Sequence, residues 1–101
     1  MSKLEDINNI LRDIEDKILE RGLLTKYIGN QYELSIVSLD HVDEIYTAQI
    51  KIKCTDSAVV LGEEDAESIC DFVSEKFQEI DDELYEDMEF STYFNNIKIY
   101  W

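Results

Sequence analysis

Apolar residues fall at Leu4, Ile7, Leu11, Ile14 and Ile18, in steps of three and four, and Gly22 follows. That spacing predicts a helix with one buried stripe, opened by a capping box from Ser2 and Glu5 and stopped at Gly22. After a turn at Gly29 and Asn30 the period changes to two. Tyr32, Leu34 and Ile36 alternate with Glu33 and Ser35, which predicts a half-buried strand running to about Leu39. A second alternation sets Ala48, Ile50, Ile52 and Cys54 against Thr47, Gln49, Lys51 and Lys53, and predicts a second strand. Thr55 and Asp56 read as a tight turn into a third strand, Ala58 to Leu61, so that three strands with short connections form an antiparallel meander under the first helix.

Gly62 ends the sheet, and carboxylates at Glu63, Glu64, Asp65 and Glu67 suit the first turn of a second helix, where they meet the positive end of its dipole. Ala66, Ile69, Cys70, Val73, Phe77, Ile80 and Leu84 continue one apolar stripe, and helix is expected to about Ile80. Asp81, Asp82 and Glu83 then interrupt or pass through it. Leu84, Tyr85 and Met88 read either as a short third helix or as a continuation of the second. Asn95 and Asn96 mark a turn into Ile97, Lys98, Ile99, Tyr100 and Trp101, a strand-like run that could pair with the meander's edge and shield it. The fold class is therefore α+β, as one compact domain over residues 1–101: an N-terminal helix, a three-stranded antiparallel meander, an acidic helical segment and a short C-terminal strand.

Composition adds to this mainly through charge. A chain that is 45% hydrophobic and 11% aromatic has the large apolar groups that disordered chains lack, although 33% of its residues are charged. Its formal net charge is -15 at pH 7. Residues 63–90 hold thirteen carboxylates and one base, Lys76, so a net twelve of those fifteen charges lie in one segment. Such a protein repels nucleic-acid phosphates and anionic membranes, and favours a basic partner. No stretch approaches a membrane span and the start lacks the apolar core of a signal peptide, so the expected location is the cytoplasm, that of the host cell if a phage encodes the protein. Cys54 and Cys70 are expected to be buried thiols in a reducing compartment.

Catalytic constellations are thin. Acid/base catalysis needs two groups in a pocket that splits their pKa values, whereas these acids lie on an expected solvated face. His41 stands beside Asp40 and Asp43, which leaves a small enzyme or metal site conceivable, but no motif supplies a nucleophile. With one histidine, no close cysteine pair, no calcium-loop pattern and no glycine-rich phosphate loop, neither metal nor cofactor is expected. The protein is read as a non-enzyme.

Carboxylates four apart on a helix stand about 6 Å apart along its axis, so a row of them can imitate a strand's phosphates in a cationic groove. The order of elements, with Tyr85-Glu86-Asp87 and Glu89-Phe90 in the acidic segment, resembles the small phage-encoded anti-CRISPR proteins that inhibit type II CRISPR-Cas effector nucleases by mimicking DNA. At the level of residues the resemblance spans Glu83 to Phe90. It implies that carboxylates engage the arginines with which the nuclease reads the motif beside its target, and it implicates Tyr85, Glu86, Asp87 and Glu89. Charge alone adds Asp81, Asp82 and Glu83, and the loop acids Asp40, Asp43 and Glu44. The expected partner is the basic nucleic-acid groove of a nuclease, with no direct contact to nucleic acid or membrane. An immunity protein that neutralises a basic nuclease toxin, or a structural or accessory protein of a phage, are the alternatives.

Overall fold

A computed structural model describes residues 3–29, 31–39, 43–56 and 58–100. Ser2, Asp40, His41 and Trp101 lie outside them, and with Ser2 the proposed capping box. Eight elements follow in order: α1 (Lys3–Arg21), α2 (Thr25–Ile28), β1 (Tyr32–Ser38), β2 (Tyr46–Cys54), α3 (Glu63–Ile80), α4 (Asp82–Tyr85), β3 (Met88–Phe94) and β4 (Ile97–Tyr100). The α+β class is as the periodicities predict.

The first helix ends as its sequence requires. Gly22 takes φ 59°, and Leu23 N–H reaches back to Ile18 O at 3.2 Å while Gly22 N–H bonds Leu19 O at 3.2 Å. This is the Schellman geometry, in which a left-handed residue satisfies carbonyls the helix leaves open. A single short turn, α2, then leads to the sheet, an element with too few residues to carry a periodic signal.

The sheet is not a three-stranded meander. Its order is β1-β2-β3-β4, with β1/β2 and β3/β4 antiparallel and β2/β3 parallel. Residues 58–61 form no strand. An Asp56 turn, with Ala58 N–H on Asp56 Oδ1 at 3.0 Å, delivers them as a connection to α3, in which Leu61 is buried and Val60 is 78% exposed. The place beside β2 goes to Met88–Phe94, which offers seven paired residues where Ala58–Leu61 would offer four. Met88, Phe90, Thr92 and Phe94 alternate with Glu89, Ser91 and Tyr93, a period of two inside what charge alone marks as helical. The terminal strand accordingly pairs with β3 and not with a meander edge, through a turn in which Asn95 and Asn96 take φ 49° and 70°. Two successive positive φ values are those of a type I′ hairpin, which asparagine tolerates.

Both long helices lie on one face of this sheet. Ile7, Leu11, Ile14 and Ile18 of α1 and Ala66, Ile69, Cys70, Val73 and Phe77 of α3 close over Ile36, Ala48, Ile50, Ile52 and Phe94 as one core. Thr92, fully buried, donates to Ala66 O at 3.3 Å and ties β3 to α3. The opposite face of the sheet carries Glu33, Ser35, Gln49, Lys51, Lys53 and Tyr93, and none of the described helices covers it. The molecule thus has an acidic helical layer and a sheet face with lysines.

Candidate docking surface

The acidic segment divides between four elements. α3 alone carries seven carboxylates, from Glu63 to Glu79; Asp82 and Glu83 belong to α4, Glu86 and Asp87 to the turn after it, and Glu89 to β3. Of the two readings left open at Asp81, a break and a separate short helix is the one the structure shows. Asp81 is at once the residue that ends α3 and the N-cap of α4, its Oδ1 accepting Leu84 N–H at 3.0 Å. An N-cap carboxylate satisfies a backbone donor that the helix leaves unpaired, which accounts for Asp81 without a partner.

Several other candidates also have internal work. Asp87 accepts from Lys3 Nζ, and its carbonyl accepts Tyr46 N–H at 2.8 Å, joining α1, β2 and the start of β3. The hydrogen bond to Asp87 is the main cause raising the Lys3 pKa, with Tyr46 and Glu44 adding to it. Asp82 Oδ1 accepts from Gln78 at 3.1 Å. The Tyr85 ring stacks on Phe90 with centroids 6.1 Å apart, and Phe90 in turn meets Phe77 edge-on at 5.8 Å, so Tyr85 extends the core more than it projects from it.

The remaining candidates are exposed: Glu83, Glu86 and Glu89 on the helix-to-strand side, Asp43 and Glu44 in the loop before β2. The structure brings the two groups together. Because β2 and β3 run parallel with Tyr46 opposite Met88, the loop ahead of one strand and the turn ahead of the other stand at the same end of the sheet. Glu44 and Asp87 both act on Lys3, which marks how near they are. Asp43 and Glu44 hold φ 53° and 67°, a left-handed conformation that is uncommon outside glycine and asparagine. Asp40, with His41, falls outside the described residues, so the conceivable Asp40-His41-Asp43 site has only Asp43 on view.

Charge counting alone missed the feature that helix geometry makes plain. Glu67, Asp71, Glu75 and Glu79 are all exposed on α3 and are spaced by four. They form a row about 18 Å long that winds round the helix by about 40° a step. The four-residue spacing of these acids is legible in the sequence. Lys76, the base within the helix, bonds Glu79 at 3.2 Å and lies over the Phe72 ring, leaving the first three acids of the row without a basic neighbour on α3. Like charges at this spacing disfavour the helix by a few tenths of a kcal/mol per pair. The dipole of α3 is favourable only to Glu63, Glu64 and Asp65, in its first turn.

The described residues contain no group of three or more histidine, cysteine or carboxylate side chains that could hold a metal ion. Cys54 and Cys70 are buried and free, and burial pushes the Cys70 thiol up to about 11, away from the thiolate that a nucleophile needs. No helix among them is long and apolar enough to cross a membrane. Comparison with protein-family models, curated proteins and solved structures returns no match.

Proposed function

We propose that this protein is a non-catalytic inhibitor that docks its acidic helical layer into the cationic nucleic-acid groove of a nuclease. The observation that carries the reading is the exposed row Glu67, Asp71, Glu75 and Glu79 on α3. A rigid helix holds these charges at fixed intervals, so little side-chain and backbone freedom is lost when a basic groove closes on them. The fifteen excess negative charges speed encounter with such a groove, and the sheet face, with Lys51 and Lys53, turns the other way.

A CRISPR effector is the partner class that the residues Glu83 to Phe90 suggest. A direct test adds the protein to a panel of such effectors before or after target DNA and follows cleavage. Inhibition confined to prior addition, and weakened by salt, is the expected result. Inhibition that is equal in either order contradicts competition for the groove. The parallel β2/β3 pair removes the meander on which the resemblance in architecture rested, and the second reading is an immunity protein against a basic nuclease toxin. The same row of acids serves either partner, and inhibition of a toxin nuclease with none of the effectors would select the second.

A further inference from the structure

The end of α1, the turn after it, α2 and the middle of α3 enclose a groove of about 340 Å³, within the size range of ligand pockets. Its floor is Ile18, Leu24 and Ile69, all buried in the core, and Tyr27 and Phe72 stand half-buried in its walls. Local backbone bonds set this shape. Leu23 N–H bonds Ile18 O at 3.2 Å across the Gly22 turn, and Tyr27 and Ile28 N–H both bond Leu24 O at 3.0 Å, which holds α2 against the end of α1. Lysines shield the two rings, Lys26 Nζ at 4.9 Å from the Tyr27 centroid and Lys76 Nζ at 5.8 Å from that of Phe72. An ammonium on a flexible stem over an exposed ring is a weak cover that moves aside for a better apolar contact. Ser68, Phe72, Glu75 and Glu79 fall at i, i+4, i+7 and i+11 of α3, on one stripe. The groove therefore leads into the exposed acids, with Glu75 about 4.5 Å and Glu79 about 10.5 Å beyond Phe72 along the helix axis.

We infer that the groove receives one large apolar side chain from a basic helical segment of the partner protein, whose arginines or lysines about four and seven positions away pair with Glu75 and Glu79. An apolar pocket beside a charged rim is the anatomy of a docking site in which a few large side chains carry most of the energy. Helix-in-groove recognition places such anchors and their neighbours at three, four and seven residues, which matches the stripe on α3. The lysines over Tyr27 and Phe72 oppose a cation in the groove itself, so the basic residues stand beside the anchor and not in it. A free anionic ligand meets a chain of net charge -15, and a second copy brings that charge to the same acids, so both are poorer occupants. The inference rests on the reading of the helical layer as a docking face for a basic protein, and adds the kind of side chain that the partner brings to it.

The test uses the full chain labelled with nitrogen-15 and an alanine-rich helical peptide of about fifteen residues, with a central tryptophan and arginine four and seven positions to either side. One control replaces the tryptophan by alanine and another replaces the arginines by glutamine. Expected results are amide shift changes at residues 23–27 and 68–72, and binding at least about tenfold tighter than that of the alanine control, from burial of the anchor. Ser68→Trp fills the mouth of the groove from an exposed position, and the two residues have similar helix propensity. This variant is expected to keep the parent's thermal midpoint and the weaker charge-driven binding, and to lose the preference for the tryptophan peptide. Equal affinity of the parent for the tryptophan and alanine peptides overturns the inference in favour of plain charge attraction, and a preference that survives Ser68→Trp overturns it in favour of an anchor site elsewhere. Binding of the glutamine control as tightly as the arginine peptide overturns it in favour of a neutral apolar ligand. The same shifts on raising protein concentration without peptide overturn it in favour of a second copy. Nuclease inhibition without anchor preference defeats the groove alone, whereas anchored binding with no nuclease inhibited defeats the nuclease reading alone.

Discussion

Glu75 has a carboxylate four residues before it, Asp71, and another four residues after it, Glu79, all exposed on one helix. Stability and docking therefore pull on it in opposite directions. Glu75→Gln removes two like-charge pairs at about 0.2–0.5 kcal/mol each, which for a domain of this size corresponds to a rise in thermal midpoint of about 2–8 °C. The same substitution is expected to weaken the partner complex, as titration of variant and parent against the inhibited nuclease checks. Cys70 makes a second prediction at this scale. Its pKa is raised by burial from 9.0 to about 11 in the folded chain, so between those values the unfolded chain loses its thiol proton while the folded one keeps it. Stability attributable to Cys70 is then full below pH 9 and falls as pH rises toward 11. Denaturant unfolding of the parent and of Cys70→Ala across that window should show the parent's steeper decline, and thiol reagents should modify Cys70 slowly at neutral pH.

Among the elements, the long helices and the first two strands were legible because each repeats one period for long enough. α1 and α3 show their stripes over 19 and 18 residues, and β2 alternates over nine. β3 was hidden by composition. Glu86 and Asp87 before it and Glu89 within it extend the charge of α3 into a different element, and Met88, Phe90, Thr92 and Phe94 carry the strand's inner face. The partner of a strand is a matter of long-range pairing, which local periodicity does not encode, so the sequence reads Ala58–Leu61 as the neighbour of β2 and Met88 as helical. Of the candidate site, exposure of Glu83, Glu86 and Glu89 follows from their charge; the capping role of Asp81 and the Lys3 contact of Asp87 needed the folded chain. The β3–β4 hairpin tests the element account. Asn96 sits at φ 70°, where a β-branched side chain is strained, so Asn96→Val should lower stability by about 1 kcal/mol or more, and Asn96→Gly should leave it unchanged or slightly raised, as denaturant midpoints would report.

At the scale of the whole molecule, fold and function are linked by the side on which each helix lies. Stacking α1 and α3 on one face of a four-stranded sheet buries the apolar stripe of α3 and leaves its row of acids outward, while Lys51 and Lys53 remain on the uncovered face. The docking face is then the helical layer, and the claim is about direction as well as net charge. The decisive measurement is the salt dependence of partner binding for the parent chain, for a row variant with Glu67, Glu75 and Glu79 changed to Gln and Asp71 to Asn, and for a sheet-face variant with Glu33→Gln. Each lost contact to a basic groove should reduce the slope of log affinity against log salt by about one unit, by analogy with phosphate contacts. A slope that falls by about three to four units in the row variant and stays near the parent's in the sheet-face variant is the predicted result. Equal slopes for the row variant and the parent would contradict the assignment of the α3 row as the docking surface.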